Sequence, residues 1–151
     1  MQQPTARARQ QGFSLLEIMV VVVIIGILVA TIAPNLFGET ERARLTRVKV
    51  DITALEDALE RYKMENFNYP TTDQGLESLV SKTELPPIPR NFKPGGYVKR
   101  LQKDPWGNDY LYVSPGQYGP YDLYTLGADN EVGGEGENRD IGNWNLNEID
   151  Q

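Results

Sequence analysis

The chain has no cysteine and no histidine. Without cysteine no disulfide can staple the fold, and no thiol chemistry is open to it. Without histidine the commonest general base and the commonest metal ligand are missing. A hydrolase made from these residues would need paired carboxylates or a Ser/Lys site, and no motif of either kind stands out. Basic charge is scarce as well: 15 Lys and Arg stand against 21 Asp and Glu, a net charge of −6. Nucleic acid, bound through basic surfaces, is not expected as a partner for such a chain. The 151 residues leave room for one domain plus a spanning segment.

Charge is rarest near the N-terminus. From Phe13 to Ala33 the only charged residue in 21 is Glu17. A run of about 20 apolar residues at ~1.5 Å rise per residue can cross a bilayer as a helix. It exceeds the ~7–15 residues of a signal-peptide h-region, and no A-x-A site follows it. A plain anchor would explain the length but not Glu17, because a carboxylate inside an apolar span usually marks a functional site. A Glu that snorkels or stays protonated is the competing reading. Arg7 and Arg9 are the only charges in residues 1–12. By the positive-inside rule they stay in the cytoplasm and the C-terminal part crosses. Pro34 and Gly38 predict a kink or local melting around Ala30–Asn35; Pro34 equally suits the end of the span at the membrane surface.

Beyond Gly38 the apolar period turns helical. Leu45, Val48, Ile52, Leu55, Leu59 and Tyr62 follow spacings of 3, 4, 3, 4 and 3, one stripe on a helix. Arg47/Asp51 and Asp57/Arg61 are i,i+4 pairs of opposite charge. The stripe is too short for a coiled coil and is expected to pack on the chain's own sheet. Phe13 to about Asn66 then forms one helix of ~80 Å. Thr71 with Gln74 fits a capping box before a short helix carrying Leu76, Leu79 and Val80. Residues 84–96, rich in Pro and Gly, read as loop, and Asp104-Pro105-Trp106-Gly107-Asn108 as a tight turn. Tyr110–Val113 and Tyr121–Leu126 read as an antiparallel hairpin that needs the helix stripe to cover it.

The stretch from Gly127 to Asp140 holds five acids, Asp129, Glu131, Glu135, Glu137 and Asp140, among glycines. It reads either as a disordered acidic loop or as a Ca²⁺ site, since Ca²⁺ takes six to eight oxygens from carboxylates and carbonyls. It is not an EF-hand: Gly133 stands where Asp or Asn is required, and flanking helices are missing.

Gly12-Phe13-Ser14-Leu15-Leu16-Glu17, behind a basic leader and before the apolar run, resembles the N-terminal signal of type IV pilins and type II secretion pseudopilins. The motifs at 70–76, 104–108, 114–116, 121–127 and 140–144 resemble those of the major pseudopilins in particular, from Gly12 to Trp144. The resemblance implies an α+β, type IV pilin-like fold: a long N-terminal helix packed on a small antiparallel sheet, with a C-terminal calcium loop. Residues 1–12 would be a cytoplasmic leader, 13–34 a transmembrane and filament-core helix, and 35–151 a periplasmic globular domain. A prepilin peptidase would cut between Gly12 and Phe13 and N-methylate Phe13. Glu17 would serve assembly. Calcium would take carboxylates from Asp129 and Asp140 and the Leu126 carbonyl, with Glu131 and Asn138 completing the shell; Arg139 stands where some relatives have a further acid. The implied function is structural, not enzymatic: a homopolymer in a helical periplasmic filament that drives export of folded proteins. Its implied partners are minor pseudopilins, the peptidase and an inner-membrane assembly platform. The rival is a type IV pilin forming a surface fibre, against which the absent cysteines speak.

Overall fold

The structure, a computed structural model, describes residues 14–149, with the backbone alone at 30–39. Gly12 and Phe13, the expected processing junction, lie outside the described residues, as does the side chain of Pro34. Contacts divide the chain into two units, Met1–Thr40 and Glu41–Gln151.

Helix α1, Leu15–Asn66, supplies backbone to both units. Its assignment continues across Pro34 and Gly38, so the local melting expected there is not seen. In the first unit every large apolar side chain from Leu15 to Val29 is exposed, from 45% at Val21 to 80% at Leu15. Among the described residues no helix is long and apolar enough to cross a membrane. Within the Phe13–Ala33 run the described side chains are those of residues 14–29.

In the second unit the helical stripe is the floor of the core. Leu45, Val48, Ile52, Leu55, Leu59 and Tyr62 are all buried, and Val48, Ile52, Leu59 and Tyr62 completely so. Arg47 and Asp51 pair at 3.5 Å; among the described residues no ion pair joins Asp57 to Arg61. The helix stops at Phe67, whose φ of 68° leaves the helical region. Asn66 anchors that end. Its amide donates to the Tyr62 carbonyl and the Tyr97 hydroxyl, and its oxygen accepts from the Asn91 N–H.

The capping box forms as read. The Thr71 N–H donates to Gln74 Oε1 at 3.0 Å and the Gln74 N–H to Thr71 Oγ1 at 3.3 Å. The helix that follows is a single 3-10 turn, Leu76–Leu79. The two expected strands become β1, Leu111–Val113, and β2, Asp122–Thr125. They pair antiparallel with Tyr112 opposite Leu123. A third strand, β3 (Ile141–Gly142), pairs antiparallel with β2 and extends the hairpin into a sheet of order β1-β2-β3. Two residues give too short a period to be read from sequence. The expected hairpin was therefore one strand short. Tyr110, Tyr112, Tyr121, Leu123 and Ile141 face the stripe and close the core. On the sheet's other side Trp144 stacks on Tyr118, with ring centroids 4.4 Å apart. Only glycine fits at position 142, where a Cβ would lie 2.3 Å from the Trp144 ring.

Candidate functional site

The acidic stretch is built as a loop with a closed neck and a turned tip. At the neck the Ala128 N–H donates to the Glu137 carbonyl at 2.9 Å. Gly127 takes φ +75°, and a Cβ there would lie 2.5 Å from the Glu137 carbonyl and 3.0 Å from that of Arg139. The two arms therefore touch backbone to backbone, which only glycine allows at that φ. Glu137 also accepts from Arg44 of α1 at 2.6 Å, which ties the neck to the helix. Beyond the neck the chain makes turns and one 3-10 turn, Gly136–Asn138, in place of the disorder that its composition permits.

The tip brings the two principal acids to one segment. Asp129 accepts from the Glu131 N–H at 3.1 Å, and Asp140 from the Gly133 N–H at 3.0 Å. Those two donors are two residues apart and so at most ~7 Å from each other. Asp140 is held at its backbone too, where its carbonyl accepts from Asn145 Nδ2 at 3.1 Å. Its second carboxylate oxygen, Oδ1, is buried and no donor reaches it. A buried carboxylate oxygen without a partner costs free energy unless a cation or water meets it. Leu126 and Asp140 line a common open groove of about 480 Å³ with Val132 and Trp144. Asn138 lies on the neck side, its carbonyl against Gly134. Glu131 is exposed at the tip.

The donor set is all oxygen, which suits a hard cation and no other common metal. Among the described residues no three acidic side chains converge. A cation here would rest on Asp129 and Asp140, with backbone carbonyls making up the shell. Leu126 and Asp140 share the groove, Asp129 and Glu131 approach through the tip, and Asn138 lies at the neck with its carbonyl against Gly134.

Sequence reading passed over the residues that hold the neck. The Asp104–Asn108 turn is one of them. Asp104 is buried, and its Oδ1 accepts the N–H groups of Trp106 and Asn108 at 3.0 and 2.8 Å. Its Oδ2 accepts from the Thr125 hydroxyl, and Asn108 reaches the Gly127 carbonyl. The turn was legible; its reach to the loop, across nineteen residues from Asn108, was not.

A long helix whose second half packs on a three-stranded antiparallel sheet, with an acidic loop between β2 and β3, is the architecture of a pilin-like filament subunit. The family model described as type II secretion system protein G matches residues 35–144. The prokaryotic N-terminal methylation motif matches residues 7–33. The chain belongs to the type II secretion system protein G family. It is 59% identical over 141 residues to the type II secretion system core protein G of Vibrio cholerae, covering 93% of this chain and 96% of that one. With the protein of that name from Escherichia coli K12 it shares 54% over 141 residues, covering 93% and 95%. The crystal structure of the major pseudopilin from the type 2 secretion system of enterohaemorrhagic Escherichia coli superposes with a TM-score of 0.66 at 46% identity, covering 74% of this chain and 95% of that one. These matches set aside the rival expectation of a type IV pilin.

Proposed function

We propose that this chain is a structural, non-enzymatic subunit of a type II secretion pseudopilus. It is anchored by the helix that starts at Phe13, with residues 35–151 in the periplasm, and it polymerises through that helix. The observation that carries the reading is the apolar helix surface from Leu15 to Val29, whose large apolar side chains are all exposed among the described residues. Such a surface needs lipid before assembly and other copies of the same helix after it. The methylation motif across residues 7–33 supports cleavage between Gly12 and Phe13 by a prepilin peptidase, with N-methylation of Phe13. An inner-membrane platform would feed subunits into the filament, with minor pseudopilins as companions. The test is the N-terminal sequence of the chain taken from isolated filaments. It is expected to begin at N-methylated Phe13, and filaments built of chains beginning at Met1 would overturn the processing step.

The acidic loop serves that role as a calcium site. Asp129 and Asp140 are the main ligands, the Leu126 carbonyl a third, and Glu131 and Asn138 complete the shell. Bound calcium would supply the positive charge that lets the tip close over its carboxylates. Support comes from the unpartnered Oδ1 of Asp140 and from both carboxylates capping the 131–133 backbone. A ligand that binds only the folded loop adds about 3 kcal/mol at a hundredfold excess over its dissociation constant. Chelation of the full chain in detergent should lower its melting temperature. Asp129→Ala and Asp140→Ala should mimic chelation, and Glu135→Ala should change little. Identical melting in chelator and in millimolar calcium would sink the assignment.

A further inference from the structure

We infer that Thr125 and Asn108, backed by Asp104, are positioning residues for the cation loop; the inference rests on the calcium reading above. Thr125 Oγ1 has two bonds with fixed roles. It donates to Asp104 Oδ2 at 2.5 Å and accepts from the Gly127 N–H at 3.2 Å. The carboxylate can only accept, so the hydroxyl proton points to Asp104 and a lone pair is left for Gly127. The Gly127 N–H lies in the same rigid peptide plane as the Leu126 carbonyl, and in a trans peptide the two point opposite ways. Holding that N–H on Thr125 therefore aims the Leu126 oxygen away from the buried Asp104 network. Asn108 then fixes the next plane, its Nδ2 donating to the Gly127 carbonyl at 3.0 Å.

Both planes at the loop's first glycine are thus held by side chains from outside the loop. Gly127 has the conformational freedom that its close approach to Glu137 and Arg139 requires, and the same freedom would let the Leu126 carbonyl swing. The two hydrogen bonds remove that freedom before any cation arrives. Asp104 is itself held by two backbone donors of its own turn, so the aim of a proposed ligand is set by the Asp104–Asn108 turn. Groups that orient metal ligands in this way typically alter affinity by ~10–100-fold when removed.

The experiment is calorimetric titration of calcium into the full chain in detergent, well below its melting temperature. Thr125→Val removes the hydroxyl at nearly constant shape, Thr125→Ser keeps it, and Asn108→Ala removes the amide while leaving the N–H to Asp104 in place. Wild type and Thr125→Ser should bind alike. Thr125→Val and Asn108→Ala should each bind about tenfold more weakly. If Thr125→Val fails to fold, Asn108→Ala decides the matter alone. Wild-type affinity in folded Asn108→Ala, even with a lowered melting temperature, would make these residues structural only and overturn the inference. A wild type that binds no calcium would overturn the calcium reading and this inference together.

Discussion

The two halves of helix α1 both carry apolar side chains, and these meet opposite fates. Between Leu15 and Val29 the apolar residues go all round the helix, and among the described residues every large one is exposed. Between Leu45 and Tyr62 they form one stripe, and the sheet and its loops cover it. The difference is how far round the helix the apolar residues extend, because charged residues fill the other faces of the second half. A helix apolar on every face has no polar side to show to water and must be surrounded. A helix with a single stripe can be satisfied by one small sheet. The first half therefore calls for neighbours, and the second makes the domain that those neighbours carry.

The sharpest way to break this comparison is to trim each half. Leu59 is fully buried, so Leu59→Ala should cost the globular unit about 3 kcal/mol through lost burial and a cavity. Val22→Ala removes atoms from an exposed surface and should leave thermal melting in detergent unchanged. Equal losses from both substitutions would show that the first half is packed against the chain after all.

A smaller effect sharpens the description of the second half. Burial raises the pKa of the Glu56 carboxyl on α1, with repulsion from Asp57 and Glu60 adding to it, against hydrogen bonds from Asn143 and Tyr121. A carboxyl raised on folding binds its proton more tightly in the native state. Stability should therefore fall as pH rises from the ordinary carboxylate value through the raised one, and be greater below that window. Glu56→Gln should flatten the melting temperature across that window and raise it slightly at neutral pH. An unchanged slope in melts across that range would remove Glu56 as its source.

How much of this was legible follows the same physics. The stripe was readable because six residues repeat a helical spacing, and all six are buried. The capping box was readable because Thr71 and Gln74 lie three residues apart and bond each other's backbone N–H. β3 was not readable: Ile141 and Gly142 become a strand only because Tyr124 and Thr125 are there to pair with. In the loop, Asp129 and Asp140 could be picked out by chemistry and by resemblance. The neck could not, because the Gly127–Glu137 contact, the Arg44–Glu137 pair and the reach of Asn108 join residues far apart in sequence. Local signals reveal local bonds, and the parts that hold the loop are long-range.

The central claim is that the uncovered half of α1 is finished by other copies of itself, and Glu17 is where that claim is most exposed. Cleavage after Gly12 would free a positive amine at Phe13. Glu17, four residues on, could pair with that amine on a neighbouring copy, offsetting part of the cost of burying both charges. Glu17→Val keeps the surface apolar and removes only the carboxylate. The direct measurement is filament yield, by electron microscopy of sheared material, from cells making wild type or Glu17→Val at equal membrane levels. The account predicts that Glu17→Val is cut at Gly12 but forms few or no filaments. Wild-type filament yield from the cleaved variant would contradict it.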